Sequence, residues 1–205
     1  MLEELRMRSR QSLLIVISGP SGAGKDTVIE RMKERGLPFH FVVTTTSRAQ
    51  RPEEVDGRDY FFISKDAFEE MIQRDELFEY ALVYDEYKGI PKQQVREALK
   101  SGKDVVMRLD VQGAETVRSH CPEAILIFLS TRDEDELIHR LRMRKTETAE
   151  SLKLRIETAR LELEKIDLFD YFVVNEDGKL DEAVDVILSI IQAEHHRTVP
   201  RKVTL

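Results

Sequence analysis

The sequence predicts an α/β domain in which helices cover both faces of a parallel sheet. Three observations carry this reading. Apolar runs such as residues 13–17 and 124–129 lack polar alternation, as strands buried on both faces do. They alternate along the chain with helix-length amphipathic segments. The first run feeds a glycine-rich turn that opens directly into a helix-forming stretch. A length of 205 residues fits one large domain or a domain with insertions, and 41% hydrophobic residues suffice for a core.

Residues 13–18 are the first strand, and 27–35 follow as a helix that stops at Gly36. Residues 39–43 read as a short second strand. The stretch 44–59 is polar and rich in Thr, Arg and acids, and 60–63 return to apolar character. Ser64 caps the next helix, with Ala67, Phe68, Met71 and Ile72 on one face. Residues 77–84 are strand-like, and Asp85-Glu86 is a turn. Pro91 opens a helix through Lys100, ended by Gly102. Residues 104–109 and 124–129 are buried-type strands with a helix over 112–120 between them. Helices follow over 133–144, basic toward its end, and over 148–165, long and charged. A short strand at 171–174 and a helix at 180–195 close the pattern. Strand signals crowd together between 44 and 90, so that stretch reads as an inserted antiparallel substructure. Residues 132–165 read as a second, helical excursion.

The glycine-rich turn is Gly19-Pro20-Ser21-Gly22-Ala23-Gly24-Lys25-Asp26, with Thr27 entering the helix. Its spacing is G-x-x-x-x-G-K, that of a phosphate-binding loop, except at the last position. The glycines let backbone N–H groups turn toward a phosphate. The helix N-terminus adds positive partial charge, and Lys25 reaches the outer phosphates. Asp26 stands where the motif has a Ser or Thr hydroxyl that ligates Mg²⁺. A carboxylate is also a hard oxygen ligand. Asp26 therefore either holds the metal, directly or through water, or leaves part of that role to Thr27, or marks a degenerate loop. The intact glycines and Lys25 favour a working loop.

Composition narrows the function class. A net charge of −7 argues against non-specific nucleic-acid binding. Cys121 is the only cysteine, so no intrachain disulfide can form and a reducing compartment is allowed. It precedes Pro122 without a His–Asp grouping nearby and reads as a loop or core thiol. No apolar run approaches the ~18 residues of a membrane helix. Residues 1–12 hold Glu3 and Glu4 and no apolar core, unlike a signal peptide. The expected location is cytoplasmic, or an organellar matrix or stroma if a transit peptide has been removed. His139, His195 and His196 form no ligand set, and the last two read as surface residues.

A second constellation follows the loop. Thr44-Thr45-Thr46-Ser47-Arg48-Ala49-Gln50-Arg51-Pro52 precedes Glu54-Val55-Asp56-Gly57-Arg58-Asp59-Tyr60-Phe61-Phe62. Further on come Leu77-Phe78-Glu79-Tyr80-Ala81, Lys88-Gly89-Ile90-Pro91, Leu109-Asp110-Val111-Gln112-Gly113-Ala114, Arg140-Leu141 with Arg144 and Thr146, and Phe172-Val173-Val174-Asn175. Together with the loop, in this order and spacing, the chain resembles the guanylate kinases over residues 14–190. The resemblance implies a P-loop NTPase core, over about 12–43, 91–131 and 166–197. It also implies an antiparallel GMP-binding insertion over about 44–90 and a helical lid over about 132–165. The activity it implies is transfer of a phosphoryl group from MgATP to GMP or dGMP, by a monomer or homodimer.

Residue by residue, the resemblance puts Glu79 and Asp110 on the guanine N1–H and N2–H edge and Thr44 near the base. It puts Arg48, Arg51, Tyr60 and Lys88 at the GMP phosphate, where a guanidinium fork suits the group. Arg140, Arg144 and Arg155 would clamp ATP and the transferred group, and Asn175 would contact adenine. Lys25, Arg48, Arg140 and Arg155 are the implied charge-stabilising catalytic set. Three departures stand out. Lys88 replaces a second phosphate-binding Tyr, Ile90 a base-binding hydroxyl, and Arg108 an acidic residue. With Asp26 they resemble plant organellar members of the family, and an Arg108–Asp26 pair is one arrangement they allow. A guanylate-kinase-like interaction domain is the rival reading; such domains usually lack the glycine loop.

Overall fold

The structure is a computed structural model that describes residues 11–83, 85–143 and 149–203. In chain order its elements are β1 (Leu14–Ser18), α1 (Lys25–Glu34), β2 (His40–Phe41), β3 (Thr45–Thr46), β4 (Phe61–Phe62), α2 (Lys65–Gln73), β5 (Leu77–Val83) and β6 (Glu86–Pro91). Then come α3 (Lys92–Lys100), β7 (Val105–Arg108), α4 (Val111–His120), β8 (Ile125–Ser130), α5 (Glu134–Arg142), α6 (Ala149–Leu163), β9 (Tyr171–Val174) and α7 (Leu180–His195).

The first sheet runs β2-β7-β1-β8-β9, and every pairing in it is parallel. Alternate residues of β1 face opposite layers. Ile15 and Ile17 pack with Val28 and Met32 of α1 and Val184 and Ile187 of α7. Leu14 and Val16 pack with Val95 and Ala98 of α3 and Ala114 and Val117 of α4. Two buried faces explain why these strands read as unbroken apolar runs. The C-terminal ends of β1 and β7 release the glycine loop and Asp110, which places both on the same edge of the sheet.

The second sheet runs β4-β3-β6-β5. Its β5–β6 and β3–β6 pairings are antiparallel as expected, but β3 and β4 pair in parallel. The long excursion between them, residues 47–60, is what permits that parallel register. In the helical excursion, Leu137 and Leu141 of α5 pack on Ala159 of α6 as a separate small cluster.

His195 differs from its surface reading. Its Nε2 lies 2.7 Å from Asp104 Oδ2, while Asp104 Oδ1 accepts from Leu13 N at 2.9 Å. The histidine therefore ties the end of α7 to the entries of β1 and β7. Of the loop and core readings of Cys121, the structure gives a buried thiol, and burial raises its pKa.

Candidate active site

Gly24 caps α1 with φ +88°, a conformation a side chain resists. A Cβ there would run into the Asn175 amide, which donates to the Ala23 carbonyl at 2.9 Å. Lys25 Nζ donates to the carbonyls of Gly19 at 2.5 Å and Pro20 at 3.0 Å. Burial lowers its pKa to about 8, against the opposing charges of Glu162 and Asp26. Above the loop, Arg155 Nη1 of α6 donates to Ser21 Oγ at 3.2 Å. From the same helix, Glu162 lies over the loop near Lys25, and burial raises its carboxyl pKa.

A cavity of about 310 Å³ opens in front of the loop. Ser21, Gly22, Gly24, Lys25, Asp26 and Thr27 line one wall, and Arg155 and Glu162 lie over it. The opposite wall is the second sheet and its loops: Thr44, Arg48, Arg51, Tyr60, Glu79 and Lys88, with Asp110 from the end of β7. All residues expected around GMP thus face the expected phosphate loop across one space. A cavity of about 400 Å³ lies behind Asp26 and Arg108, against Ile29, Glu30, Lys33 and Phe41. It takes in neither Lys25 nor the Glu79 and Asp110 carboxylates, all of which line the first cavity.

Two carboxylates mark the deep end of that space. Glu79 is 3% exposed, and its Oε1 is buried without a hydrogen-bond partner among the described residues. Burial, with Asp110 adding like charge, raises its pKa well above the usual carboxylate range. Gly113 makes room for it: a Cβ at that position would stand 2.5 Å from Glu79 Oε2. Asp110 Oδ1 caps α4 by accepting from Gly113 N at 2.9 Å, which fixes its carboxylate at the cavity wall. Thr44 Oγ1 donates to the Arg108 carbonyl at 3.3 Å.

Cations gather along the same wall. Arg48 makes a bidentate pair with Glu54 at 2.8 and 2.9 Å, and Arg51 N donates to Glu54 at 2.9 Å. Burial works against the Glu54 charge, but these bonds hold its pKa below the ordinary carboxylate value. Lys88 is desolvated, and its pKa falls although Asp110 opposes the shift. Tyr60 is also desolvated, and its pKa rises. Asp26 pairs with Arg108, an arrangement the sequence allowed. Burial works against the Arg108 charge, and Asp26, Tyr60 and Asp59 together more than offset it, so its pKa rises.

Arg140 and Asn175 stand apart from this cavity. Arg140 Nη2 donates to Glu136 at 2.5 Å and to the Asn175 carbonyl at 2.8 Å, beside Gly24. Arg144 lies outside the described residues. Sequence reasoning did not single out Glu54 or Glu162 for the site. Glu54 sits in the quoted stretch, six residues after Arg48, and that proximity was the available signal. Glu162 had none, since its neighbour Ser21 is remote in sequence.

Asp26 and Thr27 are hard oxygen donors on the cavity wall beside Lys25. Among the described residues, no group of three or more His, Cys, Asp or Glu is placed to cage a metal. A cation shared with phosphate oxygens needs only one or two protein ligands, so this donor set fits Mg²⁺. Among the described residues, no helix is long and apolar enough to cross a membrane.

Comparison with known proteins gives a consistent result. A family model described as guanylate kinase matches residues 11–194. The chain is 55% identical over 194 residues to guanylate kinase 2, chloroplastic/mitochondrial, from Oryza sativa subsp. japonica, covering 92% of this chain and 68% of that one. It is 43% identical to the guanylate kinase of Latilactobacillus sakei subsp. sakei, covering 94% of each. Among solved structures, the guanylate kinase of Anaplasma phagocytophilum superposes with a TM-score of 0.75 at 26% identity, covering 91% of this chain and 88% of that one.

Proposed function

The chain belongs to the guanylate kinase family, and we propose how its own residues carry out the ATP-dependent phosphorylation of GMP to GDP. One observation carries the reading: the phosphate loop and the guanine- and phosphate-type ligands line a single cavity. The loop amides and Lys25 take the ATP phosphates. Glu79 and Asp110 accept from the guanine N1–H and N2–H. Arg48, Arg51, Tyr60 and Lys88 hold the GMP phosphate, turning one of its oxygens toward the γ-phosphoryl group.

Such transfers need positioning and charge neutralisation more than a covalent catalyst. The acceptor phosphate is already an anion, so no general base is required. Lys25, Arg48 and Arg155 neutralise charge as it develops, with Arg140 supporting the loop from the Asn175 side. Asp26 and Thr27 are the residues that would hold Mg²⁺, whose chemistry when bound is to offset phosphate charge. Residues 44–90 act as the acceptor-binding insertion, and 132–165 as a lid that excludes water. Every residue of the site comes from one chain, so the reading serves a monomer and a homodimer alike. The rice relative is a chloroplastic/mitochondrial form, which supports an organellar matrix over the cytoplasm as the compartment.

The intact glycine loop and Lys25 weigh against the interaction-domain reading. The test is ATP-dependent conversion of GMP to GDP, with AMP, UMP and CMP as controls. Nucleoside diphosphate formation confined to GMP and dGMP supports the assignment, and equal turnover of AMP refutes it.

A further inference from the structure

The acceptor wall and the phosphate loop meet at one side chain. Arg108 ends β7, and its side chain is 16% exposed. It pairs with Asp26, donates from Nη2 to the Asp59 carbonyl at 3.1 Å, and lies over the Tyr60 ring, 4.4 Å from its centroid. Arg48 lies over the same ring at 5.1 Å and is gripped by Glu54. Tyr60 is therefore packed by two guanidiniums, each oriented by a carboxylate. One carboxylate, Glu54, belongs to the insertion. The other, Asp26, belongs to the triphosphate loop.

We propose that Asp26 and Arg108 act as one unit that positions Tyr60, so that the triphosphate loop sets the hydroxyl serving the acceptor phosphate. This rests on the reading of Tyr60 as an acceptor-phosphate ligand. A guanidinium is attracted to an aromatic face, more so when desolvated, and its planar fork needs fixed partners to stay flat. Asp26 supplies one partner. The Asp59 carbonyl supplies another and also fixes the backbone entering Tyr60. Lys88, Arg48 and Arg51 would bind the phosphate directly, whereas Arg108 works through the ring it covers.

The unit makes a prediction opposite in sign to simple electrostatics. Asp26 is a negative charge near an anion's site, so removing that charge alone would tighten GMP binding. If Asp26 anchors Arg108, removing it loosens Tyr60 and weakens GMP binding. The experiment is calorimetric titration of GMP into the enzyme without ATP, with thermal melting to confirm folding. The variants are Asp26→Asn, Arg108→Met, Arg108→Lys, Tyr60→Phe and the Tyr60→Phe/Arg108→Met double.

Asp26→Asn and Arg108→Met should each weaken GMP binding about tenfold, the scale of one charge-assisted contact. Arg108→Lys keeps the charge but offers no plane, and should fall between wild type and Arg108→Met. In the Tyr60→Phe background, Arg108→Met should cause no further loss, because both changes remove one interaction. GMP binding by Asp26→Asn that equals or exceeds wild type would overturn the proposal. So would losses that multiply in the double variant, which would make Arg108 a direct phosphate ligand. If Arg108→Met does not fold, Asp26→Asn and Arg108→Lys decide the matter. Wild-type enzyme that binds no GMP removes the acceptor-site reading itself, and the relay with it.

Discussion

In the phosphate loop, the groups that would meet a phosphate are mostly backbone amides, aimed by three glycines and a helix start within eight consecutive residues. In the insertion expected to hold the acceptor they are side chains from separate strands and loops, and Glu54 grips the Arg48 guanidinium and the Arg51 backbone. The loop is a local device: its geometry follows from its own sequence. The insertion is less local: Glu54 is near Arg48 and Arg51 in sequence, but Tyr60 and Lys88 reach the same cavity wall only through folding. One arrangement is robust to its surroundings, and the other can be retuned by exchanging partners. The variant residues Lys88 and Ile90 fall on the non-local side, Arg108 ends β7 of the parallel sheet beside it, and Asp26 of the loop pairs with Arg108.

The comparison breaks most visibly at Lys25. Lys25→Ala leaves the loop backbone in place but removes its one side-chain cation. It should lower kcat on the order of a thousandfold, as loss of a transition-state cation does in phosphoryl transfer. Its melting temperature should stay close to wild type. A Lys25→Ala enzyme with near-normal kcat would mean that the loop does not serve catalysis.

A smaller effect is expected on the insertion side. Glu54→Gln keeps the size of the side chain but loosens Arg48 and Arg51. It should raise KM for GMP about tenfold, the scale of hydrogen bonds to charged groups, and leave KM for ATP unchanged. Steady-state kinetics with each substrate varied separately would check this. Equal changes in both KM values would show that the two regions are not separable as described.

The smallest effect concerns pH. Burial holds the Lys25 pKa near 8, and phosphate favours the charged form. Below about pH 8 the ammonium is already present and ATP binds without proton uptake. Above it, binding must take up a proton, so affinity falls as pH rises. At pH 8.5 the loss should be about fourfold, from one-proton linkage. Titration of a non-hydrolysable ATP analogue in buffers of different ionisation heat would measure both the loss and the proton uptake. A flat profile from pH 7 to 9 would contradict the shift.

The same local and non-local division explains what could be read from the sequence. The first strand was expected at 13–18 and is Leu14–Ser18. The first helix was expected from Thr27 but begins at Lys25, because the left-handed Gly24 is itself the cap. The strand Glu86–Pro91 was hidden, since Gly89 and Pro91 break its pattern. Thr45–Thr46 was also hidden: it is two residues long, polar and buried only by its neighbours. The acceptor ligands were legible through resemblance to a family, and from no periodicity. Glu162 and the Asp104–His195 contact were not legible, because each acts on a residue remote in sequence.

The central claim is that the phosphate loop and a guanine-reading insertion share one cavity. It is tested most directly by comparing kcat/KM for GMP and AMP with saturating MgATP. A site whose buried carboxylates need two donors should reject the analogue lacking them by roughly 10⁴-fold. GMP turnover with AMP lower by that order is the predicted result. Comparable kcat/KM for the two nucleotides would contradict it.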